Sequence, residues 1–387
     1  MSAVATEMNT VSDTEKAHLL ALLSVPEVAS GTIRKLVSAM GSAQAVWEAP
    51  ASLLKQHLPQ AKLAGFTATQ QQVNPQALYD LHMQAGITLL ALGEENYPPM
   101  LAEIHNPPVL LFTKGSLTAL AGKTLAIVGT RMISDYGRQV TRHLVNGLQE
   151  AGLRDAVIVS GLAAGIDSCA HWAALENGYA TTAVFGCGLD TVFPSGNEKL
   201  VREILERNGA LVSEYPLGIS TSPFTFPQRN RIVVGLSHGV VVIEGSVKSG
   251  ALITAKIAAE EGRGVYAVPG NVFAPMAQGP LHLLKQGAVA VTGAQDVLHD
   301  LRWATAETPS ISGFQQLDFL GKNTEALGEA ELKLLSYIAY DATPRDAVFE
   351  KAVEKLALAP RQINTMLTML ELDGHVKTLP GNCICRL

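Results

Sequence analysis

The sequence predicts an α/β protein: a doubly wound, mostly parallel sheet, with a small helical domain before it and a winged helix after it. Three observations carry that expectation. Between residues 86 and 300, short apolar runs rich in Val and Ile alternate with amphipathic stretches of helical periodicity, the rhythm of βαβ units. Several of those runs are apolar on consecutive residues, as strands covered on both faces must be. On either side of this region the periodicity is helical, and the C-terminal end closes on an alternating segment with a turn.

The elements follow in order. Residues 1–12, MSAVATEMNTVS, are small and polar and are expected to form a disordered tail, with order beginning at Asp13. From 13 to 85, helices such as TEKAHLLALL and SGTIRKLVSAMG are separated by Pro26, Gly31 and Gly41. The stretch LSVPEVASGTIRKLVSAMG fits either a helix-hairpin-helix offering amides to a phosphate or a plain packing domain. Over residues 86–305 the strand runs are ITLLAL, TLAIVGT, AVIVSG, TTAVFG, ALVSEY, GVVVIEG, GVYAVPG and AVAVTG. Residues 306–326 lack periodicity and are expected to be a linker. From 327 to 387, EAELKLLSYIAY, AVFEKAVEKLAL and PRQINTMLTMLEL read as three helices. GHVKTLPGNCICRL reads as a hairpin turning at Pro380-Gly381, with Cys383 and Cys385 alternating on its second strand. Three helices and a hairpin make a winged helix.

The totals bound the chemistry. A chain of 387 residues exceeds one compact core and suggests two or three domains. Four cysteines without a Cys-x-x-Cys pair, no secretory signal pattern and no apolar run of about eighteen residues lead to the expectation of a reduced, cytoplasmic protein with no membrane partner. A net charge of -6 argues against a broadly basic nucleic-acid-coating surface. Any anion must be bound in one local groove.

Three strand-to-helix junctions supply such a groove: GTRMIS at 129–134, SGLAAGID at 160–167 and EGSVKSGALIT at 244–254. Gly129, Gly161, Gly165 and Gly250 permit close approach, Thr130, Ser134, Ser160 and Ser249 offer hydroxyls, and each following helix adds its N-terminal amides. Parallel topology puts all three junctions at one edge of the sheet. FPQRNR adds Arg229, Asn230 and Arg231. With Pro227 as first helical residue, both arginines stand in the opening turn, each opposed by the helix dipole at about 0.3 to 1 kcal/mol. Either an anion sits there or salt bridges to Glu214 or Glu244 do. Arg131, Arg229 and Arg231 suit two-pronged phosphate contact, and Phe224 and Phe226 suit stacking on unpaired bases, one of the two being expected in the core. Asp167 and His171 share a helical face, read as a capping carboxylate and a packed imidazole.

Other chemistries lack their residues. GTRMISDYG is not the dinucleotide fingerprint, and GSLTALAGKT has Leu117 where a P-loop needs glycine and precedes a strand instead of following one. No G-x-S-x-G elbow, His-Glu-x-x-His or Cys/His cluster occurs, so no catalytic residue, metal or cofactor is expected. From 327 to 387 seven Lys and Arg face eight Asp and Glu, a balance of -1. The third helix carries one cation, Arg361, which favours protein contact over duplex reading.

The blocks VGTR, SGLAAGIDSCAH, GLDTVFPSGN, SEYP, FPQRNRIV, KSGALITA and EEGRGVYAVPGN, in unbroken order from Gly129 to about Val297, resemble the DNA-processing protein A family (DprA, also called Smf). The N-terminal helices resemble the SAM-like or helix-hairpin-helix module of longer members, and LTMLELDGHVKTLPG resembles the family's winged-helix ending. The resemblance implies an extended Rossmann-like fold and a homodimeric, non-catalytic mediator. Such a mediator binds incoming single-stranded DNA in natural transformation and loads the RecA recombinase; a single-strand-binding protein or other competence proteins are further partners compatible with it. It maps DNA contacts onto Gly129, Thr130, Arg131, the Ser160-Gly161 turn, Phe226, Arg229 and Arg231. Ser195 stands where some members carry a basic residue, so that interaction is missing or moved to Lys199.

Two other readings stay open. The loops also resemble phosphoribohydrolases acting on nucleoside monophosphates, although EGSVKSGALITAKIAAE lacks the paired glycines and glutamate of P-G-G-x-G-T-x-x-E. An adaptor that binds a small nucleotide is the other.

Overall fold

The computed structural model describes residues 10–303, 327–339, 343–356, 359–372, 375–379 and 382–386. The expected tail before residue 10, the linker at 306–326 and the Pro380-Gly381 turn lie outside them. The chain forms two compact units, Met1–Thr308 and Pro309–Leu387.

The first unit is organised by nine strands: β1 Thr88–Ala91, β2 Leu110–Gly115, β3 Lys123–Val128, β4 Ala156–Ser160, β5 Ala180–Val184, β6 Ala210–Ser213, β7 Gly239–Val242, β8 Gly264–Ala267 and β9 Val289–Ala290. Their order in the sheet is β1-β2-β6-β5-β4-β3-β7-β8-β9. From β6 to β9 every pair is parallel, and only the two pairs involving β2 are antiparallel. All eight apolar runs read from the sequence become strands. β2 is an addition to them: VLLF is a short apolar run behind Pro107-Pro108 and fits a buried strand or a buried helical segment equally.

Consecutive apolar residues on the strands serve two layers. Leu125, Ile127, Ile158 and Val241 pack under Leu144, Leu148, Ala170 and Ala173 of the helices Asp135–Glu150 and Ile166–Glu176. Ala126, Val128, Val240 and Val242 pack under Ile232, Val234, Ala255 and Ala258 of the helices Thr225–Gly235 and Gly250–Glu260 on the other face. The chain winds outward from β3 through β4 and β5 to β6, then returns to β7 on the far side of β3. Crossovers therefore diverge at the β3/β7 boundary and leave a crevice beyond the carboxyl ends of those strands.

Helices from Asp13–Leu23 to Pro75–Gln84 precede the sheet and share one core with it. Leu20, Leu22, Ile33 and Phe66 belong to the same apolar cluster as Phe112, Ala183, Phe185 and Ile204. Glu15 accepts from the amides of Ala43 and Gln44 and so caps the helix Ala43–Glu48, while Lys16 pairs with Glu94 at 2.8 Å. His82, buried, accepts from Leu217 N at 3.0 Å and bonds Leu78 O, tying the last of these helices to the segment after β6.

The second unit is the expected winged helix. Helices Glu329–Ser336, Arg345–Leu356 and Pro360–Leu372 pack with β10 Thr343–Pro344, β11 Val376–Leu379 and β12 Cys383–Arg386, ordered β10-β12-β11, around Leu334, Val348, Ile363, Leu370 and Ile384. Cys383 and Cys385 flank buried Ile384, as alternation requires.

Candidate nucleic-acid interface

The loops after β3, β4 and β7 converge with the start of the helix Thr225–Gly235 on a cleft of about 650 Å³. Its walls include Gly129, Thr130, Arg131, Gly161, Asp167, Phe226, Arg229, Asn230, Ser249 and Gly250, ten of the fifteen residues singled out in the sequence. The other five, Ser134, Ser160, Gly165, Lys199 and Arg231, stand behind or beside it.

The first loop is pinned on both sides. Thr130 N donates to Glu244 O at 2.8 Å, and Thr130 O accepts from Ile166 N at 3.1 Å. A side chain on Gly129 would meet Ile166 and the Glu244 carbonyl. One on Gly165, which sits at φ +86°, would strike the carbonyl oxygen of Thr130. Gly165 is therefore a spacer that lets two loops touch, not a ligand position. On this fixed base Arg131 stands exposed, its guanidinium 5.3 Å from the centroid of the Phe226 ring. Phe193 packs against Phe226 at 5.6 Å between ring centroids, the two planes tilted by 43°.

Where the helix Asp135–Glu150 opens, the amides of Ser134 and Gly137 are already taken. Ser134 N and Oγ both donate to the Glu244 carboxylate, Ser134 Oγ accepts from Gly137 N at 3.0 Å, and a side chain on Gly137 would strike Glu244. Glu244, buried, is the anion of that helix terminus. The expectation that every following helix lends its amides to the groove is corrected here, and Ser134 is engaged as an N-cap. The helix Gly250–Glu260 differs: Ser249 forms no side-chain cap bond and its buried hydroxyl has no partner, so Gly250 and Ala251 bring orphan amides to the cleft wall.

The second loop is braced from within. Ser160 is buried and donates from Oγ to Ile127 O at 2.7 Å, which removes its hydroxyl from the groove. Asp167 accepts from Gly161 N at 3.1 Å and Ala163 N at 3.4 Å; it clamps the loop ahead of its own helix. Burial pushes its carboxyl pKa up, against the opposing pull of Arg229 and those amides. His171 is fully buried and bonds Thr181 Oγ1 at 2.7 Å through Nδ1, and burial lowers its pKa to about 3. The imidazole is neutral packing, as expected.

The two arginines of FPQRNR meet protein, not solvent. The helix begins at Thr225, not Pro227, with Ser222 and Thr225 exchanging hydrogen bonds across its first turn. Arg229 and Arg231 thus lie in the second turn, beyond the orphan amides, and the dipole penalty does not arise. Arg229 is only 5% exposed and donates from Nη1 to the carbonyls of Gly161 and Val184. Burial pulls its pKa down, and the nearby Asp167 charge resists that. Arg231 pairs with Glu214, whose carboxyl burial pushes up. One of the two expected carboxylate partners is therefore real, and neither arginine is a free phosphate grip. Phe226 is half-buried against Arg131 and Phe193, and Phe224 is 79% exposed, so neither phenylalanine joins the core. Lys199 lies 5.9 Å from the Trp172 ring, outside the cleft.

Phe193 carries no mark in the sequence beyond its place in GLDTVFPSGN, Thr221 and Ser222 wall the cleft from a segment with no motif, and Ile253 does so from within KSGALITA. The sequence pattern of the family described as DNA recombination-mediator protein A matches residues 88–302. The chain belongs to that family. A second pattern, the DprA winged helix domain, matches residues 321–382. Protein Smf of Escherichia coli is 38% identical over 296 residues, 76% of each chain. The crystal structure of DprA from Streptococcus pneumoniae is 34% identical and superposes with a TM-score of 0.65, covering 75% of this chain and 98% of that one. DprA from Helicobacter pylori, described for a unique mode of binding single-stranded DNA, is 30% identical at a TM-score of 0.50, over 56% of this chain and 96% of that one. Among the described residues no helix is long and apolar enough to cross a membrane.

Proposed function

We propose that this DprA-family chain is a cytoplasmic, non-catalytic single-stranded DNA-binding mediator whose cleft holds the backbone and bases of an unpaired strand. The observation that carries the reading is the Arg131 guanidinium held over the Phe226 ring on the wall of a cleft that the orphan amides of Gly250 and Ala251 also line. A guanidinium held over an aromatic ring offers charge to a phosphate and a flat surface to a base, and duplex bases are not free to use the second. Gly129, Thr130, Asn230 and Ser249 supply the neutral polar contacts. Arg229, Asp167, Ser160, Gly161 and Gly165 hold the frame.

Asp167 is the sole carboxylate on the cleft wall among the described residues, and its Oδ2 accepts from the Gly161 and Ala163 amides. That gives the one acid on the wall a bracing role in the loop, which speaks against a nucleotide-hydrolysing reaction. Release of adenine from AMP would overturn this part of the reading. The family further supports action as a homodimer that protects incoming DNA and loads RecA in natural transformation. The near-neutral winged helix suits protein contact.

Fluorescence anisotropy with labelled oligo-dT tests the proposal. Affinity rises with length over about 4 to 16 nucleotides, drops steeply with salt and exceeds that for the matching duplex. Saturation at a single nucleotide sinks it. Ser134→Ala separates frame from ligand: the chain loses about 1 kcal/mol of stability with its cap, and oligo-dT affinity stays within about twofold, about 0.4 kcal/mol.

A further inference from the structure

Phe273, in the loop that follows β8, is 90% exposed, more than any other large apolar side chain among the described residues. Its neighbour Val272 is 62% exposed, so two adjacent apolar side chains forgo burial on one loop tip. The loop is not loose. Phe273 N donates to Asn271 Oδ1 at 2.9 Å, Ala274 N to Asn271 O at 2.9 Å, and Gln278 Nε2 to Val272 O at 2.6 Å. Gly245 N donates to Met276 O at 2.7 Å and Gly279 N to Gly245 O at 2.8 Å, so this loop is fastened to the β7 loop whose later residues wall the cleft. The Tyr136 hydroxyl donates to Pro269 O and fastens it to the helix behind the first loop as well.

The ring therefore stands on a rigid mount at the same carboxyl edge, one strand beyond β7. On the β7 loop, immediately before the cleft-wall residues Ser249 and Gly250, stands Lys248, exposed and without an ion-pair partner among the described residues. The strand ends of β3, β7 and β8 span about 10 Å, two interstrand spacings. That is within reach of a strand leaving the Arg131 end of the cleft. We infer that Phe273 is a second base-stacking platform and Lys248 its phosphate contact, so that an unpaired strand seated in the cleft runs on across the β7 loop. The fastening of the bare ring's loop to the loop that carries both an unpaired cation and part of the cleft wall selects a polynucleotide over an apolar protein surface.

The inference rests on the cleft being the single-strand site, and the test separates the two. With the full chain, Phe273→Ala weakens binding of oligo-dT of about 16 nucleotides at least fivefold and leaves oligomers of about 4 nucleotides within twofold. Phe273→Trp restores the long-oligomer affinity, and Lys248→Ala lowers it and flattens its salt dependence. Arg131→Ala weakens both lengths. Unchanged long-oligomer affinity in Phe273→Ala, with Arg131→Ala still weak, overturns the second platform and leaves the cleft standing. A change of oligomeric state in Phe273→Ala with binding intact assigns the ring to an interface between copies and overturns it too. No binding of any oligomer by the unmodified chain removes the cleft reading and this one together.

Discussion

Replacing Arg131 with alanine weakens oligo-dT binding at least tenfold, about 1.4 kcal/mol, and leaves the unfolding transition where it was. Both halves follow from its position. The side chain is exposed, has no carboxylate partner among the described residues, and touches the protein chiefly through the Phe226 ring at 5.3 Å. Folding gains little from it and an anionic ligand gains much. Removing one cation from the phosphates of a single strand shallows the log-log salt slope by about 0.7, so a salt titration should show the variant's slope reduced by that amount while long-range attraction persists. Arg131→Lys separates charge from shape: it keeps the slope and loses the flat surface over Phe226, giving an intermediate affinity. Affinity equal to the parent chain's would remove Arg131 from the site.

The sheet was legible because its strands are covered on both faces, which writes continuous Val/Ile runs into the sequence. Burial of β3 from Thr124 to Val128 is the direct readout. β2 escaped because four apolar residues behind two prolines fit several structures. The converging loops were legible from topology alone, since parallel strands put Gly129, Gly161 and Gly250 at one edge. The division of labour within that edge was not. Whether an arginine meets phosphate or protein depends on carbonyls at Gly161 and Val184, far from Arg229 in sequence, and on a helix that starts two residues early. Glu244 reads as a strand-end acid, yet it fills the helix terminus that glycine and serine would otherwise offer to a ligand. Phe273 lies two residues past the EEGRGVYAVPGN block and belongs to no motif itself, and its significance lies in being left bare.

Arg229→Ala costs about 3 to 5 kcal/mol of folding stability, since each of its two buried charge-assisted hydrogen bonds is worth about 1.5 to 3 kcal/mol. It changes the affinity of the folded fraction less than Arg131→Ala does. The guanidinium holds the β4 and β5 loop ends together through the carbonyls of Gly161 and Val184, and it offsets the buried charge of Asp167. Without it two carbonyls lose their donor and the carboxylate keeps only its two amides. Burial already raises the Asp167 pKa, so in the variant the group favours its neutral form still more. A folded pKa above the unfolded value gives stability that is present below the carboxylate range and lost as pH rises through the folded pKa. The Arg229→Ala deficit should therefore grow from mild acid toward neutral pH, and Asp167→Asn added to it should recover part of the loss. Denaturant unfolding across pH, with anisotropy on the same samples, reads both quantities. If Arg229 instead gripped phosphate, alanine would lower affinity with the unfolding curve unmoved, and Asp167→Asn would restore nothing.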